Sequence, residues 1–157
     1  MKPNIGIPEK KLHAVADLLS EVLSNQVALY TKTRKFHWNV SGESFMELHK
    51  LFEHQYKQLE EAIDEVAERI GKLGFKTMGT MDEFGKLATI KEHPGKYPDS
   101  KGMIGELLSD HETLIVQQRK FIAHCAEKYN DAGTADLLTG LMEGHETVAW
   151  TLRRYLN

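Results

Sequence analysis

Apolar residues recur along this chain at the three-and-four spacing of helices. Leu12, Val15, Leu19, Val22, Leu23 and Val27 share one helical face. Pro8 suits a first turn, so a first helix is expected from there to about Asn39, where Ser41-Gly42 breaks it. Phe45, Leu48, Phe52, Leu59, Ile63, Val66 and Ile70 form the stripe of a second helix, starting near Ser44 and ending at Gly71 and Gly74. Residues 75 to 99 are rich in Gly, Pro and Thr, and within them Thr80-Met81-Asp82-Glu83 reads as a capping box. That predicts a short helix at about 81–88. A third long helix is expected from Asp99 or Ser100 to about Lys128, with Met103, Leu107, Leu114, Phe121 and Cys125 inward. Asn130-Asp131-Ala132-Gly133 reads as a turn, and Thr134 as the cap of a fourth helix reaching about Tyr155. The pattern predicts an all-α fold: a four-helix bundle with a short helix in the long connection between the second and third helices.

At 157 residues the chain is expected to be one domain, 1–157, with a short N-terminal tail over 1–7. Its 41% hydrophobic and 27% charged residues are ordinary for a soluble globular protein. Cys125 is the single cysteine, which rules out an intrachain disulfide and an all-Cys or Cys/His structural zinc site. No signal peptide is visible, so a reducing cytoplasm is the expected compartment. No apolar run approaches the ~18 residues of a membrane span. A formal net charge of −3 argues against a surface that binds nucleic acid over its whole area.

Candidate chemistry concentrates between residues 37 and 68. His49/Glu53 and Asp64/Glu68 are both i,i+4 pairs, and each pair stands on one face of a helix. On one continuous helix the four side chains fall within roughly 100° of arc, but positions 49 and 68 lie about 28 Å apart along the axis. One chain cannot bring both pairs to one metal ion. Two copies packed antiparallel about a twofold axis near residues 58–59 can, giving two mixed His/carboxylate sites roughly 22 Å apart. Such a donor set suits a first-row metal such as iron.

Phe36-His37-Trp38-Asn39-Val40, Gly42, Phe45, Leu48-His49, Phe52-Glu53, Gln55-Tyr56, Leu59, Asp64, Ala67-Glu68-Arg69-Ile70 and Leu73-Gly74 resemble the signature of the Dps family. These are miniferritins, the DNA-binding proteins from starved cells. The helix-and-loop pattern extends the resemblance over nearly the whole chain, with the sharpest motifs in 36–74. The resemblance implies a ferritin-like bundle and ferroxidase ligands at His37, His49, Glu53, Asp64 and Glu68. It also implies a site at a subunit interface and a dodecameric shell. The implied activity is oxidation of Fe(II), with hydrogen peroxide the expected oxidant, and storage of ferric iron, protecting DNA and the cell.

Larger ferritins hold their irons inside the bundle through Glu-x-x-His on two helices. None of the eight histidines here has Glu three positions before it, so that intrabundle site is missing. Neither a His-Glu-x-x-His motif, a phosphate loop nor a nucleophile elbow is present. Trp38 is a core or interface residue on general grounds; the resemblance makes it a candidate electron donor. Glu127, Asp131 and Asp136 suit a turn and a helix start; the resemblance makes them candidate pore residues that draw Fe(II) inward. His111, His124 and His145 are expected at ordinary polar positions or as accessory metal contacts. DNA-binding members of the family carry lysine-rich tails, whereas here only Lys2 precedes Pro8. DNA binding is expected to be weak or absent. The alternative is a nucleoid-compacting DNA-binding protein with secondary metal binding.

Overall fold

The computed structural model describes residues 3–156, so Lys2 lies outside the described residues. The helices are α1 (Glu9–Asn39), α2 (Phe45–Lys72), α3 (Met81–Leu87), α4 (Ser100–Ala123) and α5 (Ala132–Leu156). Among the described residues there is no strand. The most extensive pairings are α1 with α2 and α4 with α5, and α3, in the crossover, packs on α1. This is the ferritin-like bundle with one long connection that the hydrophobic pattern predicts.

Local signals explain most boundaries. Pro8 stands at the cap position of α1, and α2 follows Ser44, whose side chain makes no cap. The capping box before α3 is present: the Glu83 amide donates to Thr80 Oγ1 at 3.3 Å, and the Thr80 amide donates to Glu83 Oε2 at 3.0 Å. Past α2, Gly74 adopts φ 91°. A Cβ there would meet Pro3 Cδ at 2.6 Å. From Pro3 onward the N-terminal segment therefore lies against the body, and Ile7 packs on the core.

The α4–α5 corner differs from the expectation in two ways. The third long helix does not run uniformly to Lys128. It changes at His124 to a π-helical segment, His124–Tyr129, which ends on left-handed Asn130 at φ 56°. The cap of α5 is Asp131, not Thr134. Asp131 Oδ1 accepts from the Thr134 amide at 2.9 Å, and Oδ2 accepts from Thr134 Oγ1 at 2.6 Å. Asp and Thr are both good caps, and the wider π turn brings Asp131 into place first. Arg69, from the end of α2, donates to Asp131 at 2.7 Å and to Thr134 Oγ1 at 2.9 Å.

The core is divided. One apolar cluster gathers Leu19, Leu23, Val66, Ile70 and Leu138; the other gathers Phe36, Phe52, Leu107, Leu114 and Leu152. Val27, Ile63 and Phe121 are only half-buried, and Phe45 is exposed. Fully buried polar residues interrupt the apolar stripes, among them Asn25, Gln26, Gln55, His111, Gln118 and His145.

Asn25 pins the crossover to α1. Its Oδ1 accepts from the Thr89 amide at 2.7 Å and the Ile90 amide at 3.1 Å, and its Nδ2 donates to Gln117 Oε1 at 3.1 Å. A buried donor left without an acceptor costs ~1–3 kcal/mol. Asn25→Ala should therefore lower the urea midpoint by an amount matching a loss of about 2–5 kcal/mol. Asn39→Ala, at an exposed position, should change it little. Equal midpoints for the two variants would refute the assigned role of Asn25.

The two buried histidines make stability depend on pH. Burial holds His145 down at about 4, and burial followed by the His145 charge holds His111 well below its ordinary value. In the unfolded chain both titrate near ~6.5. Below that pH the unfolded chain takes up protons that the folded chain refuses. This contribution to stability is complete above ~6.5 and is lost as pH falls towards about 4. Each histidine contributes a slope of about 1.4 kcal/mol per pH unit in that window. Denaturation at pH 7, 6 and 5 should show the loss, and His145→Gln should flatten it. A parent midpoint unchanged between pH 7 and 5 would contradict the assignment.

Candidate metal centre

α1 ends at Asn39, and the chain turns through Val40 to Ser44 into α2. This short connection sets the last turn of α1 beside the first turns of α2. His37 and His49 meet there with rings stacked, centroids 3.8 Å apart and planes 19° apart. His37 Nδ1 lies 2.8 Å from the His49 carbonyl, and His49 Nδ1 lies 2.9 Å from the His37 carbonyl. A carbonyl can only accept, so each Nδ1 carries the proton and each Nε2 keeps its lone pair. Backbone anchoring of one ring nitrogen is how proteins orient a histidine that ligates through the other. His37 is buried and His49 half-buried.

Glu53 stands one turn after His49. Its Oε1 accepts from Lys57 at 2.6 Å. Lys57 first, then the His37 and His49 charges, hold this carboxyl below the ordinary range. Asp64 and Glu68 lie further along the unbroken α2, both exposed. Glu68 pairs with Lys72 at 2.9 Å. Among the described residues, no three His, Cys, Asp or Glu side chains gather within the chain in a way that could hold a metal ion. The structure thus brings His37 and His49 together and leaves Asp64 and Glu68 apart from them. The continuous helix makes their axial separation real.

Sequence reasoning left one neighbour without a role. The Tyr56 ring meets His37 edge-on at 5.2 Å and Tyr30 at 6.1 Å. The Arg34 guanidinium lies 4.6 Å from the Tyr56 ring and 5.3 Å from the Trp38 ring. Tyr56 follows His49 by seven residues, two helical turns, and that spacing could have placed it beside the histidines. Trp38 itself is 64% exposed.

The ferritin-like domain family matches residues 16–157. A DNA protection during starvation protein of Bacillus anthracis is 39% identical over 87% of this chain and 95% of its own. A low temperature-induced protein of Nostoc is 44% identical over 98% of this chain and 86% of its own. The chain belongs to the Dps family. Among solved structures, the Dps protein of Vibrio cholerae matches with a TM-score of 0.93 and 32% identity, covering 99% of this chain and 97% of that one. That protein is described as a member of the ferritin-like diiron-carboxylate superfamily. Mycobacterium smegmatis Dps matches with a TM-score of 0.92 and 30% identity over 100% and 95% of the two chains.

The three candidate pore residues of this Dps chain are placed differently from one another. Glu127, in the π-helical segment, and Asp136, in the second turn of α5, are exposed. Asp131 is 2% exposed and occupied by Arg69 and Thr134, so its carboxylate serves the corner. Among the described residues no helix is long and apolar enough to cross a membrane. Cys125 is buried, and burial first, then the Asp131 charge, push its thiol up to about 11, which makes it a poor nucleophile.

Proposed function

We propose that this Dps-family protein oxidises Fe(II) with hydrogen peroxide at centres shared between twofold-related subunits. We further infer that it keeps the ferric product in a hollow, dodecameric shell in the cytoplasm. The observation that carries this reading is the reciprocal anchoring of His37 and His49, which frees both Nε2 atoms as ligands. His37, His49 and Glu53 would bind iron from one subunit, and Asp64 and Glu68 from the other. Imidazole nitrogen with carboxylate oxygen suits iron in either oxidation state. The lysine pairs of Glu53 and Glu68 are exposed, and such pairs hold a side chain weakly. Both carboxylates are free to turn to a cation. Iron is the substrate, and the protein supplies geometry and negative charge. Consuming Fe(II) and peroxide together removes both reactants that generate hydroxyl radicals, which would protect DNA without binding it. Trp38, beside His37, and Tyr56, against its ring, are the groups placed to donate an electron to a stray oxidising equivalent.

Complementation tests the shared centre. One variant carries His37→Ala and His49→Ala; the other carries Asp64→Asn and Glu68→Gln. Each alone should assemble and lose most peroxide-dependent Fe(II) oxidation. A mixed dimer holds one centre with both defects and one with neither. Co-assembly should restore activity in up to about half the centres of mixed dimers. Confirmed mixed dimers with no recovered rate would count against the shared centre.

Entry of iron is assigned to the exposed carboxylates of the α4–α5 corner. Asp136→Asn with Glu127→Gln should slow uptake at low ferrous concentration by weakening the negative field. High salt should shrink the difference. Uptake unchanged at low ionic strength would remove these residues from the entry path.

A further inference from the structure

His111, on α4, and His145, on α5, occupy the interior of the bundle and take no part in the proposed metal centre. They are 1% and 5% exposed, and their Nδ1 atoms lie 2.8 Å apart. Two nitrogens can share such a contact only when one carries the proton. The other nitrogen of His145, Nε2, lies 2.9 Å from Gln26 Nε2. With the Gln26 amide donating, His145 donates from Nδ1 to His111, and the His111 proton sits on Nε2. With the Gln26 amide turned over, both protons reverse, and His111 Nε2 becomes a bare acceptor. In either arrangement His111 Nε2 is buried with no partner in the chain.

It is not alone. Gln55, 2% exposed, has neither its amide oxygen nor its amide nitrogen satisfied. Gln118 lies two turns beyond His111 on the same face of α4 and is orphaned in the same way. An unsatisfied buried polar group costs ~1–3 kcal/mol. A core that is close-packed elsewhere would not retain so many without something between them. His111, His145 and Gln55 line one cavity of about 150 Å³ that opens between α2 and α5, beside Glu61, Glu65, Gly140 and Gly144. Roughly 10–15 Å³ admits one water molecule.

The orphaned atoms define the occupant. Gln55 presents a donor and an acceptor together, so its guest must both accept and donate. A metal cation satisfies lone pairs only and would leave the Gln55 amide N–H unpartnered. Both imidazoles are neutral, and the two carboxylates of the lining, Glu61 and Glu65, are exposed to solvent, so the buried end of the cavity supplies no charge to hold an ion. An apolar guest satisfies nothing. We propose that this cavity is a binding site for a small neutral hydroxylic molecule, held by the His111 imidazole and the Gln55 amide. Water and hydrogen peroxide share that chemistry. The site stands on its own observations and does not depend on the proposed iron oxidation.

High-resolution diffraction from crystals of the full-length protein tests it. Untreated crystals should show ordered oxygen density within about 3.2 Å of both His111 Nε2 and the Gln55 amide. Anomalous data across the iron and zinc edges should show no peak there, and crystals under xenon pressure should take up no xenon in the cavity. A peroxide soak separates the two sources. Paired oxygen density would make peroxide a guest of the site, whereas unchanged single oxygens would make water its occupant; both outcomes support the site. Gln55→Leu should remove the ordered oxygen bound there. A parent cavity that is empty and admits xenon, an anomalous metal peak, or direct closure of Gln55 on His111 would overturn the proposal.

Discussion

A straight helix cannot bring its own ends together, and that constraint organises this molecule. α2 runs unbroken for 28 residues. It carries His49 and Glu53 near its start and Asp64 and Glu68 near its end, about 28 Å from the first to the last. The connection between α1 and α2 delivers a second imidazole, His37, to the first pair. Nothing in the fold delivers one to the second pair. In the proposed centre, each subunit therefore presents one nitrogen-rich half-site and one carboxylate half-site. Such halves meet only when a second copy reverses the direction of α2, which a twofold axis does.

The histidine half of the proposed centre is already oriented within one chain. His37 and His49 each anchor the other's Nδ1 through a backbone carbonyl. At His37 the anchor uses the frayed end of a helix. The Val40 amide closes the last turn of α1 on the Phe36 carbonyl, so the carbonyls from His37 onward are left without a helical partner. A group that the helix would otherwise leave to water instead fixes the tautomer of His49, a candidate ligand. The π-helical segment and Asp131 serve the opposite end in a comparable way. The wider turn places the Asp131 carboxylate over the start of α5, where Arg69 ties it to α2.

Legibility in the sequence followed the range of the interaction. The α3 box could be read because Thr80 and Glu83 are three residues apart. Helix extents could be read because the apolar period is local, and the shared face of each candidate pair on α2 because i,i+4 spacing sets it. Asp131 and Thr134 were harder: both are capping residues three positions apart, and the choice depends on a hydrogen-bond register set upstream at His124. Asn25 and the His111–His145 pair were not legible. Asn25 serves residues 64 and 92 positions away, and the two histidines are 34 apart. No local pattern marks such contacts. Tyr56 stands between the two cases: its two-turn spacing from His49 is local, but its contact with the His37 ring depends on how α1 and α2 pack.

Two pairs of histidines in one chain give the physical reason why the proposed cation site lies at an interface and not in the bundle interior. The rings are chemically the same, so the carboxylates decide. Inside, the carboxylates are already committed. Asp131 is bound to Arg69, and Asp110, only 15% exposed, is bound to Lys32 at 2.6 Å. Even beside Lys32, burial raises Asp110, so the interior penalises unbalanced charge strongly. Among the described residues no cluster that could hold a metal ion forms around His111 and His145, the carboxylates of their cavity, Glu61 and Glu65, are exposed, and burial keeps both rings neutral. At the surface, Glu53, Asp64 and Glu68 are hydrated and held by nothing stronger than exposed lysines. Bringing them to a metal removes little existing stabilisation. The missing Glu-x-x-His pattern is the sequence trace of this arrangement: without acidic ligands facing inward, a polar core of imidazoles and amides suits a neutral guest. The proposed ionic chemistry falls to the surface of α2, where a second subunit would complete it.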